Sequence, residues 1–81
     1  MKISIRLFAV AKQLVGQDSV SVELAAGSTI GQLRGQLAVQ VPALAAILPH
    51  VLFAVGSEYV QNDWVISPDS DVACIPPVSG G

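Results

Sequence analysis

The sequence is short of the groups that most often announce an activity. It has one cysteine, Cys74, one histidine, His50, and only Lys2, Arg6, Lys12 and Arg34 as cations among 81 residues. A single cysteine forms no internal disulfide and cannot ligate an iron–sulfur cluster within the chain. No Asp, Glu or Cys pattern surrounds His50 to complete a metal site, so no metal is expected and His50 reads as a loop residue. The cations are scattered, which excludes both the basic footprint of a nucleic-acid binder and an anionic membrane surface as partner. The most apolar region, residues 41–55, is too short for a bilayer span and is broken by Pro42, Pro49 and His50. Met1 to Arg6 alternates apolar and polar residues and reads as a strand, not a secretory signal. These absences together suit a cytoplasmic, reducing environment.

What the chain does have is aliphatic bulk. Hydrophobic residues make up 52% of it and charged ones only 12%. A single small domain buries about 60–65% of the surface its unfolded chain exposes. The apolar content exceeds what such a core needs, so part of it is expected on the surface as a partner-binding patch.

Two segments alternate with a period of two. Ile3, Ile5 and Leu7 interleave with Lys2, Ser4 and Arg6, and Val20, Val22 and Leu24 recur inside 19–24, so both read as half-buried strands. Between them Phe8, Ala11, Leu14 and Val15 share a helical face that Gly16 ends. After the turn at 26–28, Thr29 and Gln32 have capping-box spacing, and Ile30, Leu33 and Leu37 recur at helical intervals. Pro42 ends this helix near residue 40, although Gly31 and Gly35 each weaken it by about 1 kcal/mol relative to Ala.

Residues 43–48 allow one short helical turn closed by Pro49, and 51–55 read as a buried strand. Gly56-Ser57 predicts a type II′ turn into a returning strand over 58–60. Turn residues at 62–63 and 68–71 then lead to a last strand over 72–75, which Pro76 and Pro77 terminate by removing two backbone donors. A hairpin, a crossover helix, short extra helices and further strands in a mixed sheet predict an α+β, ubiquitin-like β-grasp domain over 1–77. Residues 78–81 are expected as a flexible Gly-Gly tail.

The tail is where the chemistry points. Pro76 and Pro77 stiffen the exit from the last strand, and Gly80-Gly81 end the chain without a side chain past Ser79. Such a segment threads a narrow channel, because only glycine lets an enclosing wall approach the backbone on both sides. The working group would be the Gly81 carboxylate, a poor acyl donor until an ATP-dependent enzyme activates it.

Three stretches carry a specific resemblance: Leu7-Phe8-Ala9 through Leu14-Val15-Gly16, Phe53-Ala54-Val55 with Tyr59-Val60, and above all Asp71-Val72-Ala73-Cys74-Ile75-Pro76-Pro77-Val78-Ser79-Gly80-Gly81. They resemble the MoaD-type sulfur carriers, the small subunits of molybdopterin synthase. The chain departs from that pattern at Gly56, where Asn is usual, at the Asp69-Ser70-Asp71 turn, and at Cys74 or Ile75, where an aromatic is common.

The resemblance implies a carrier cycle. An adenylating enzyme related to the ubiquitin activators would use ATP and magnesium to make an acyl-adenylate at Gly81, and a desulfurase persulfide would supply sulfur for a Gly81 thiocarboxylate. The large synthase subunit, in a heterotetramer, would then accept the tail and hold the catalytic groups, so this chain is a sulfur donor and binds no cofactor tightly. Gly80 and Gly81 would be the reacting end, with Pro76, Pro77, Val78 and Ser79 lining the approach and Phe8, Val60 and Ile75 forming an apolar docking face.

Other residues read as structural. Cys74 lies mid-strand, where a buried thiol behaves as a small hydrophobe. Tyr59 and Trp64 read as core or hairpin cover, with a place bordering the interface as the alternative. Asp69 and Asp71 read as turn caps, and Arg6 and Arg34 as solvated cations, with a rim salt bridge to a partner as the alternative. Three alternative functions remain on residues alone: a carrier for thiamine synthesis or tRNA thiolation, a ubiquitin-like modifier joined to lysines, and a β-grasp interaction domain with an idle tail.

Overall fold

A computed structural model describes residues 1–77 of the chain. Strand β1, Lys2–Leu7, keeps the alternation read from its sequence and buries Ile3, Ile5 and Leu7. Helix α1 covers Ala9–Val15, and Gly16 closes it at φ 78°, donating its N–H to the Lys12 carbonyl at 2.8 Å. Strand β2, Ser19–Glu23, returns antiparallel to β1, with Ile5 opposite Val20 and Ile3 opposite Val22.

Helix α2 spans Ile30–Gln40 and begins with the expected capping box: the Thr29 side chain accepts from the Gln32 N–H, and the Gln32 side chain accepts from the Thr29 N–H. Ile30, Leu33 and Leu37 form its buried stripe. Pro42 stops it, and two short 3-10 turns, Pro42–Leu44 and Leu48–His50, carry the chain to the sheet. Strands β3, Leu52–Val55, β4, Glu58–Val60, and β5, Val72–Ile75, complete the fold.

The sheet order is β2-β1-β5-β3-β4. First and last strands lie side by side in parallel, Ile5 opposite Val72 and Leu7 opposite Cys74, while every other neighbouring pair is antiparallel. With α2 crossing one face, this is the α+β, β-grasp arrangement. Ile3, Ile5, Val22, Val72, Cys74 and Phe53 meet Ile30, Leu33 and Leu37 of α2, and Leu44, Leu48 and Ile66 close the core's margins.

Several local expectations need correction. The stripe proposed for α1 is largely open: Ala11 is buried and Val15 half-buried, but Phe8 is 42% exposed and Leu14 is also exposed. Seven residues are too few to bury two sides, and the helix starts with Ala9 in the left-handed region at φ 53°. The single turn placed at 43–48 is two 3-10 turns, and Pro49 lies inside the second instead of closing the first. Gly56 and Ser57 have φ 56° and 75°, so the hairpin turn is type I′, not II′; I′ needs positive φ at both central residues and matches the twist of the flanking strands.

Gly31 and Gly35, equivalent in the sequence, differ in the fold. The Gly31 N–H donates to the Asn62 carbonyl at 2.9 Å, and a Cβ at Gly31 would stand 3.4 Å from Asn62. Gly35 faces open space.

Candidate functional site

The root of the tail is the central strand. β5 is bonded on both sides, parallel to β1 and antiparallel to β3, so its end does not fray as an edge strand would. Pro76 is buried and Pro77 exposed. The two prolines border a hollow of about 250 Å³ formed with Val10 of α1 and with Ala46, Ile47 and His50 of the 3-10 segment. The exit of the chain is thus fixed from three sides. Val78, Ser79, Gly80 and Gly81, the residues expected to thread and react, lie outside the described residues.

Alternation along β5 decides what surrounds that exit. Val72 and Cys74 point into the core, while Ala73 and Ile75 point to the outer face. Pairing extends this outer face: Ile75 stands opposite Leu52, Ala73 opposite Ala54, and Ala54 opposite Tyr59. Leu52 is 52% and Tyr59 66% exposed, so the outer face carries an apolar strip running away from the tail root. Tyr59, read from sequence as core or hairpin cover, belongs to this strip.

Beside the strip, Arg6 and Asp71 form a two-point ion pair, Nε to Oδ1 at 3.0 Å and Nη2 to Oδ2 at 2.9 Å. The Arg6 guanidinium also lies 5.7 Å from the Phe8 ring centroid, a cation–π contact that places Phe8 on the outer side. Asp71, expected as a turn cap, is therefore Arg6's counter-ion, and Asp69 accepts from the Ser67 hydroxyl at 2.9 Å.

Of the three residues expected to share a docking face, Phe8 and Ile75 lie on the outer side. Val60 does not join them: its register partner is buried Phe53, and it packs half-buried against the core from the sheet edge. A strand's period of two moves a residue across the sheet with each step, and the register of so short a returning strand was not readable from sequence. Leu52 and Tyr59 lie on the outer side instead, and the unbroken apolar run of 52–55 gave no sign of which of its residues face outward.

Cys74 is fully buried, and burial pushes its thiol up to about 11, with the positive charge of Arg34 pulling weakly the other way. At neutral pH it is a protonated, enclosed hydrophobe. Among the described residues no group of three or more His, Cys, Asp and Glu side chains is placed to hold a metal ion, and no helix is long and apolar enough to cross a membrane.

Comparison with known proteins agrees with this architecture. A molybdopterin synthase sulfur carrier subunit from Dictyostelium discoideum is 37% identical over 83 residues, covering 99% of this chain and 96% of its own. The crystal structure of SAMP1 from Haloferax volcanii superposes with a TM-score of 0.84 at 24% identity, each chain covered in full. A protein–protein complex of subunits 1 and 2 of the molybdopterin-converting factor from Helicobacter pylori contains the same fold, at a TM-score of 0.69 and 16% identity over the whole of both chains. The ThiS family model matches residues 5–81. That match runs from the middle of β1 through the final glycine, and the chain belongs to the ThiS family.

Proposed function

We propose that the chain is the sulfur-carrier subunit of a molybdopterin synthase, working in the cytoplasm through a thiocarboxylate at Gly81. The observation that carries this reading is the tail root. A central strand bonded on both sides, closed by a buried proline, launches a segment that ends in two glycines. The relatives named as molybdopterin synthase sulfur carrier subunits favour the molybdopterin pathway, and the Helicobacter pylori complex of subunits 1 and 2 supports a large-subunit partner.

In this scheme an activating enzyme joins the Gly81 carboxylate to AMP, releasing pyrophosphate from ATP. A persulfide sulfur attacks the acyl carbon and AMP leaves; a second thiol of the donor then reduces the acyl disulfide, leaving the thiocarboxylate. The thiocarboxylate is anionic and soft at neutral pH, so it attacks without a base to deprotonate it. Its sulfur goes to the cyclic pyranopterin phosphate on the large subunit, and water releases Gly81 as carboxylate for another round. Two rounds build one dithiolene. Cys74 takes no part, because its thiol is buried and protonated.

The test is intact mass after incubation with the cognate activating enzyme, ATP, magnesium and a persulfide donor. A species heavier by about 16 Da, sulfur replacing oxygen at Gly81, is expected for the wild type, and none for a chain with one residue added after Gly81. Pterin product formed with the large subunit then fixes the pathway. No heavier species under these conditions overturns the carrier reading, and an adduct on lysines without pterin product replaces it with a protein modifier.

A further inference from the structure

Arg34 is not the solvated cation its sequence position suggests. It leaves α2 half-buried, and its Nη1 donates to the Leu48 carbonyl and, at 2.7 Å, to the Val51 carbonyl. Nη2 donates to Asn62 Oδ1 at 3.1 Å, and the guanidinium lies 5.0 Å from the Phe53 ring centroid. A guanidinium carries five N–H donors, so Nε–H and one Nη2–H have no acceptor among the described residues. None of the acceptors is a carboxylate; the ion pairs of the described residues are Arg6–Asp71 and Lys12–Asp18. Among the described residues no fully buried side-chain nitrogen or oxygen lacks a partner, so Nε, which has none, is open to solvent.

Arg34 lines an open hollow of about 490 Å³ together with Leu52, Phe53, Val60, Gln61, Asn62 and Asp63. The cation is held in place before anything binds, its floor is apolar, and its fork suits a carboxylate. A small free carboxylate gains only the fork itself, against a net charge of −2 and Asp63 in the lining, so it fills the hollow only at high concentration. A docked protein is a better occupant. Leu52 belongs both to the hollow and to the exposed outer strip, so a partner covering that strip brings its own side chains to the opening.

We infer that the Arg34 hollow is a socket for an acidic side chain of a partner protein, an aspartate or glutamate that completes the ion pair this chain leaves open. Resting on the carrier reading above, the partner is the large synthase subunit.

Asn62→Asp is the decisive variant, since it supplies a carboxylate from within the chain at hydrogen-bonding distance of Arg34. Two readouts apply: the Arg34 Nε–H signal in nitrogen-15 spectra during titration with sodium acetate against sodium chloride, and the Kd for the cognate large subunit. In the wild type the Arg34 signal responds saturably to acetate and not to chloride, while that of Arg6, already paired, does not move. Asn62→Asp melts no lower than the wild type, loses the acetate response, and binds the large subunit about tenfold more weakly, as expected for filling a charge-paired contact. Wild-type affinity in Asn62→Asp, or equal movement of both arginine signals, overturns the socket. A wild-type chain that does not bind the large subunit at all overturns the carrier reading instead. The acetate response then decides the socket alone: saturation at Arg34 supports it and its absence overturns it.

Discussion

The buried thiol of Cys74 makes the fold sensitive to alkali in a calculable way. Its pKa rises from 9.0 to about 11, chiefly because the core desolvates the thiolate. Below pH 9.0 the thiol is protonated in both folded and unfolded chains, and its full contribution to stability is present. Between that value and about 11 the unfolded chain ionises while the folded one does not, so the contribution is lost as pH rises. Two pKa units correspond to about 2–3 kcal/mol, a sizeable part of the 5–15 kcal/mol typical of a domain.

Cys74→Ala removes this slope along with the thiol. The measurement is urea unfolding of both proteins at intervals from pH 8 to pH 11. The wild type is expected to lose about 2 kcal/mol relative to the variant across that range, and titrations common to both proteins cancel in the difference. Parallel stability curves would refute the assignment of a raised pKa. A pKa of about 11 leaves only about one thiolate in ten thousand at neutral pH, so alkylation of the native protein waits for unfolding. A Cys74→Ala chain that still folds should keep the mass increase at Gly81.

Three further outcomes follow from local geometry. Gly35→Ala, whose Cβ meets nothing, should stabilise α2 by up to about 1 kcal/mol and raise the melting temperature by about 4–8 °C, whereas Gly31→Ala, facing Asn62 at 3.4 Å, should gain less. Ser57→Gly should raise the thermal midpoint through about 1 kcal/mol, because Ser57 holds φ 75° in the type I′ turn. Asp71→Asn should cost less than about 1 kcal/mol in denaturant titration, and the loss should shrink in 1 M salt, since both members of the Arg6–Asp71 pair are exposed.

Periodic features were legible in the sequence and pairings were not. Alternation marked β1 and β2, the Thr29–Gln32 spacing placed the start of α2, and Pro42 and Pro76 marked the ends of α2 and β5. These signals act within one element, so a short window contains them. Arg6 and Asp71 are 65 residues apart, and no local pattern announces that they meet. Arg34 looked like any surface cation because the carbonyls it serves are positioned only once the 3-10 turns pack under α2. The φ of Ala9 and the face of Val60 escaped for related reasons: the first is imposed by the junction of β1 with α1, the second by a hairpin register.

The parallel pairing of β1 with β5 also bears on how the protein is made. Ile5 cannot meet Val72 until nearly the whole chain has left the ribosome, and a parallel contact across that separation closes late in folding. Until then β1 and β3 present unpaired edges toward the slot that β5 fills, a surface prone to sticking to other nascent chains. A chain cut short before Val72 therefore lacks both a closed sheet and the Gly80-Gly81 end. Because the strand that completes the sheet also leads into the terminal glycines, synthesis itself would, in the proposed carrier role, withhold the reacting end from any molecule whose fold is unfinished.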